Sequence, residues 1–243
     1  SFPTRTLFRS VTRGATPKIG AYESTIGYYT WQGNSSDDFG TASNWVGGVV
    51  PPNGVNIVFA PSPTHNCVLD QNRTIHNITN AQSSYKFYVN GRQLTVTGNF
   101  DLSNGATIDA STNSSVVVFA GTSAQIIPTG AFVNNTVDGL TINNSNGLTL
   151  NGNLTVTQTL TLTNGAFNLG ANTLTLNGLI STTSGSLNAG SSTNLVIGGS
   201  STSTTLPAIT LNNLTLNRVN GIVLGGNVNI GGTFTLTSGT LTI

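Results

Sequence analysis

Charged side chains are scarce in this sequence: 6% of its residues are Asp, Glu, Lys or Arg, against about 25% in an ordinary soluble domain. The formal net charge is +1. A chain so nearly neutral lacks the field that would steer it to nucleic acid or to an acidic lipid surface. There is one cysteine, Cys67, which excludes an internal disulfide and any metal site built on paired cysteines. Methionine is absent, which suits an oxidising exterior and suggests that the sequence begins inside a longer or processed chain. No apolar run approaches the roughly 20 residues that span a bilayer. Any export signal is expected outside residues 1–243.

Asn, Thr, Ser and Gly fill the space that charge leaves, and apolar residues still make up 37%. They alternate. Segments such as L-T-V-T (94–97), L-T-L-T (160–163) and F-T-L-T (234–237) put Leu, Val and Phe on one side of a strand and Thr on the other. Asn-Gly pairs punctuate them, among them 90–91, 146–147, 164–165 and 220–221. Both residues tolerate positive φ, so these pairs predict turns. Apolar spacing of three and four is missing, which argues against helix.

Self-similarity decides the architecture. Residues 140–169 align without a gap on 214–243, with thirteen of thirty positions identical. A weaker third copy lies near 80–108, at an offset of 60 from the first. A 74-residue period is too long for one coil, so each long unit should hold several coils of roughly 20–25 residues in a stacked array. The expected fold is all-β, a parallel β-solenoid (β-helix). The alternative is an antiparallel β-sandwich, because Asn-Gly is also a hairpin signal.

Three regions follow. Residues 1–28, with Arg5, Arg9, Arg13 and Lys18, are expected to be a linker or the tail of a preceding domain. Residues 29–70 hold Trp31, Phe39 and Trp45 and are expected to form an aromatic cap over the first coil. Residues 71–243 are the repeats. The chain stops within a repeat, so further coils, self-association or a secretion-machinery partner should cover the C-terminal strand edge.

No chemistry stands out. Asp37 and Asp38 sit between the tryptophans in a Gly/Ser-rich loop. A solvated cap loop is the plain reading of them. The sharper one is a glycan or calcium contact made by Trp31, Asp37, Asp38 and Trp45. Asp101 and Asp109 could share a face, yet no base repeats with them. His65, Cys67 and His76 are near in sequence but match no nucleophile or zinc pattern. The Thr columns raise the idea of ordered water, as on ice-binding solenoids; uneven strand spacing and the Asn, Ser and Gly that interrupt the columns speak against it. We therefore expect no enzyme activity, no resident metal and no cofactor.

The segment W-Q-G-N-S-S-D-D-F-G-T-A-S-N-W-V-G-G-V-V-P (31–51) resembles the Trp-Gly, Asn-Trp, Gly-Gly, Pro opening found before β-strand repeats in secreted Bacteroidota proteins. The L-T-L-N-G-N-L-T-V-T repeats are similar to that class, whose members commonly leave the cell by type IX secretion. K-I-G-A-Y-E-S (18–24) looks like the closing motif of a preceding β-helix domain. The resemblance implies an extracellular or cell-surface, adhesin-like protein. The expected role is a non-catalytic stalk or fibre segment. Alternatives are a module binding an extracellular glycan, or an accessory part of a polysaccharide-degrading enzyme.

Overall fold

The computed structural model describes residues 27–80, 85–102 and 105–243. The readings of residues 1–26, K-I-G-A-Y-E-S among them, lie outside the described residues. Within these limits the chain is all-β, a parallel β-solenoid of about nine turns.

Each coil presents three short strands, and equivalent strands stack into three faces. Gln93–Val96, Val116–Phe119 and residues 139–142, 159–162 and 179–182 stack on the first face. The second face contains Gln125–Ile127, Leu148–Leu150, Ala166–Asn168 and Ser186–Asn188. On the third, residues 154–156 are followed by Thr173–Leu176, Asn194–Ile197, Asn213–Asn217 and Phe234–Ser238. The strands Phe132–Asn143 and Leu154–Asn164 run through a corner and serve the third and first faces in turn. All ladders among the described residues are parallel; the one antiparallel contact is an isolated bridge between Trp31 and Trp45. The sandwich alternative is thereby ruled out.

Alternation does the work expected of it. On the third face Leu154, Leu174, Leu195 and Leu214 lie in register one above another. A second inward column runs through Val156, Leu176, Ile197 and Leu216. All eight are buried. On the first face Leu94, Val117, Leu140 and Leu160 repeat the arrangement. Each buried aliphatic side chain contributes about 1.5–3 kcal/mol relative to exposure, so the columns supply most of the drive to stack. The columns reach the last coil, where Phe234 and Leu236 are exposed.

The 74-residue repeat turns out not to return to the same face. Leu140 stacks between Val117 and Leu160 on the first face, whereas its counterpart Leu214 stacks between Leu195 and Phe234 on the third. The 60-residue offset behaves likewise, carrying Leu94 of the first face onto Leu154 of the third. Each repeat therefore covers whole coils plus two faces. The recurring unit is one strand and its corner, and any such unit fits any face because all three make the same demand.

Corners need particular residues. At Gly165 φ is +80°, and a Cβ there would run into the Asn144 carbonyl of the coil below. At Gly178 a Cβ would lie on the carbonyl of Gln158.

The aromatic region caps as expected, although it also contributes strands. Val55–Phe59 and Cys67–Val68 already stack on later coils, so the solenoid begins before residue 71. Tyr28–Trp31 pairs with Val55–Phe59 on one side. Its other edge is covered by residues 44–46: the Gln32 amide donates to the Asn44 carbonyl and the Val46 amide to the Thr30 carbonyl. Covering a terminal edge in this way blocks pairing with other chains.

Candidate functional site

The cap holds the residues that the sequence singled out, and its geometry is that of a packed plug. Trp31 and Trp45 meet edge to face at 5.1 Å, and Phe39 meets Trp45 at 4.7 Å. Their indole N–H groups are used internally, Trp31 donating to the His65 carbonyl at 3.2 Å and Trp45 to the Phe39 carbonyl at 2.8 Å. Only 0% and 2% of the two residues is exposed. Neither ring offers a face to a sugar, and the expected glycan stacking on Trp31 and Trp45 is corrected accordingly. The large rings pack on one another and seal the open end of the coil.

Asp37 and Asp38 are exposed, as a solvated loop requires. Asp38 accepts a hydrogen bond from the Thr41 hydroxyl at 2.7 Å. Among the described residues no group of three or more His, Cys, Asp or Glu side chains is placed to hold a metal ion.

Beneath this loop lies a polar knot. Buried Asn44 accepts from the Ser35 and Ser36 amides at 2.8 and 3.0 Å and donates to the Asp38 carbonyl at 2.8 Å. Arg73 grips Asp70 with two hydrogen bonds, 3.0 and 2.7 Å, donates to the Pro51 carbonyl at 3.2 Å, and lies 4.6 Å over the Phe39 ring. Burial alone would raise the Asp70 carboxyl; the hydrogen bonds and charge of Arg73 outweigh it and hold the group below the usual carboxylate value.

Cys67 is fully buried, and burial followed by the nearby charges of Asp38, Asp70 and Asp37 pushes its thiol well up. A thiol held protonated is a poor nucleophile. Its sequence neighbours are engaged elsewhere, His65 Nδ1 with the Gly33 carbonyl at 2.6 Å and His76 Nδ1 with the Thr97 hydroxyl at 3.1 Å. Asp101 and Asp109 lie on different faces of the coil, the second and the third.

One open concavity adjoins the cap. It measures about 500 Å³ and is lined by Tyr28, Tyr29, Val46, Val49, Val55 and His76, with Gly27, the first described residue, on its rim. Tyr28 and Val46 are exposed there.

Sequence reasoning missed the buried polar clasps between coils. Arg218 is 0% exposed and is held by carbonyl oxygens alone: Gly198 at 2.8 Å, Gly178 at 2.5 Å, Leu176 at 3.0 Å and Thr202 at 3.4 Å. Burial lowers its pKa, yet a guanidinium stays protonated. Gln125 plays a similar part earlier, donating to the Val96 and Gly98 carbonyls and accepting from the Gly121 amide and from Asn144. The signal for Arg218 was available, since it is the one charged residue from 139 to 243.

The chain thus defines itself structurally as a parallel β-solenoid with an aromatic N-terminal cap. No family model, no curated protein and no solved structure matches it. No helix among the described residues is long and apolar enough to cross a membrane.

Proposed function

We propose that this chain is a non-catalytic structural segment, a stalk or fibre element of a bacterial cell-surface or secreted adhesin-like protein. The carrying observation is the run of buried aliphatic columns through successive coils, closed at one end by the cap. Such a body transmits load through side-chain packing and main-chain ladders rather than through a flexible linker. The near absence of charge supports an extracellular setting in which neutral surfaces meet one another. The sequence resemblance to type IX secretion substrates supports the same location.

Deleting one coil, residues 154–173, tests this reading. A spacer tolerates the loss of a whole coil, stays folded, and becomes shorter by about 4.8 Å. Turnover of uronic-acid polysaccharides by the intact chain, abolished by changing Asp37 and Asp38, would overturn it.

The groove beside Tyr28 favours a second reading, a glycan contact outside the tryptophans. Binding on a glycan array that disappears with Tyr28→Ala, in a chain of unchanged stability, would support it.

A further inference from the structure

From Thr136 onward the outer side of the third face is a two-row array of Thr and Asn; the charged Lys86 and Asp109 belong to earlier coils of the same face. Thr136, Thr155, Thr175, Val196, Thr215 and Thr235 follow one another on successive coils. Beside them runs a second row, in which Asn153, Thr173, Asn194, Asn213 and Thr233 occupy equivalent positions. The sequence suggests broken columns, because strand spacing is uneven and Asn, Ser and Gly interrupt the Thr. The structure confines the uneven spacing to the rest of the coil and places the interrupting Asn194 and Asn213 in the second row. From Leu154 to Leu216 the third-face register has no bulge.

Two repeats describe the array: about 4.8 Å from coil to coil and about 6.6 Å between alternate residues of a strand. Both approach the spacings at which oxygen rows recur on prism faces of ice. β-Branching holds Thr side chains in few rotamers, so hydroxyls and methyls recur in fixed positions. Among the described residues the hydroxyls of Thr155, Thr175, Thr215 and Thr235 make no hydrogen bond, which leaves them to water. Val196 removes one hydroxyl and keeps the shape. Charge would impose its own hydration on this shell, but from 139 to 243 the one charged side chain is Arg218, and it is buried. The first face differs. Its hydroxyl column through Thr141 and Thr161 is flanked by Val116, Gly139, Thr159 and Leu179, so it has no second polar row.

We propose that the third face binds ice, through a layer of water ordered by the Thr and Asn rows. A single ordered bridging water is worth little net, each costing about 0–2 kcal/mol to immobilise; the effect depends on many waters held together by a rigid lattice. A charge-free stretch of this face is complementary to a charge-free crystal.

The test uses the full chain and measures ice recrystallisation and crystal shape below the melting point. The wild-type chain should halt recrystallisation and facet growing crystals. Thr175→Lys with Thr215→Lys should raise the concentration required at least about tenfold, the equivalent of about 1.4 kcal/mol. Thr141→Lys on the first face should leave it unchanged. Thr175→Val with Thr215→Val, which keeps the β-branched shape, separates a lost array from a misfolded chain, and thermal melts accompany each variant. Wild-type behaviour no different from that of an inert globular protein would overturn the proposal. So would equal effects of third-face and first-face changes.

Discussion

Asn153 and Thr173 stand one coil apart, and the Asn153 side-chain oxygen accepts a hydrogen bond from the Thr173 amide at 2.8 Å. The same bond joins Asn53 to Thr74, Asn72 to Gln93 and Asn213 to Thr233, at 2.8–2.9 Å. In each case an asparagine at or just before the start of one strand caps an amide at the start of the strand one coil on. The asparagines therefore fix where one coil sits on another, a matter that inward Leu columns leave open because any Leu fits any other. Asn153→Ala removes the acceptor and leaves the exposed Thr173 amide to water, so the loss should be about 1 kcal/mol. Urea unfolding should show a lower midpoint with an unchanged slope.

Arg218 carries a larger share. Leu176, Ile197 and Leu216 stack on consecutive coils, so the carbonyls it collects at Leu176, Gly178 and Gly198 tie three coils together. Arg218→Met keeps the volume and strands those buried carbonyls, with an expected loss of about 3 kcal/mol. Arg218→Lys should recover only part of this, because an ammonium lacks the planar fork. Thermal denaturation of the three proteins distinguishes these outcomes.

Gly178 allows the sharpest steric test. Its hydrogen atoms face the Gln158 carbonyl directly, and no flexible side chain can yield there. Gly178→Ala should cost at least about 2 kcal/mol. Gly190, where a Cβ meets nothing within 4 Å, is the control, and Gly190→Ala should be near neutral. Melting temperatures report both.

Acid should loosen the cap. Asp70 has a folded-state pKa below its unfolded value of about 3.9. A depressed carboxylate stabilises fully above the unfolded pKa and loses that contribution as pH falls through the folded one. Stability should therefore be flat near neutrality and fall only in strong acid. Asp70→Asn should be less stable at neutral pH and lose less on acidification. Tryptophan fluorescence follows it, since Trp31 and Trp45 sit in the plug that Arg73 and Asp70 brace.

Much of the fold was readable because alternation is a direct record of which side of a strand is buried. Leu174, Thr175 and Leu176 declare it in three letters. The Asn-Gly pairs declared the corners, and scarce charge fitted stacked columns, in which like charges would sit one strand apart. Three-sidedness was not legible: the 74-residue repeat matches Leu140 to Leu214, and sequence likeness does not reveal that these occupy different faces. The cap was legible in kind, since Trp31, Phe39 and Trp45 are the large rings of a loop. Whether those rings were buried or presented was not, because that depends on contacts such as Arg73 over the Phe39 ring and Trp31 with the His65 carbonyl, made between residues far apart in sequence. Arg218 was visible as an exception without a reason until the carbonyls around it came into view.

The central claim is that stacked columns make a stiff spacer, and a distance between spin labels on outward positions tests it most directly. Thr74, Thr95, Val118, Thr141, Thr161 and Ser181 follow one another on the first face. Labels at 74 and 181 are therefore five coils apart, about 24 Å at about 4.8 Å per coil, and Cys67 is buried away from the reagent. A single narrow distance near that value, shortening in proportion when the second label is moved to 161 and then 141, is the predicted result. A broad distribution, or distances that do not scale with the number of coils between labels, would contradict it.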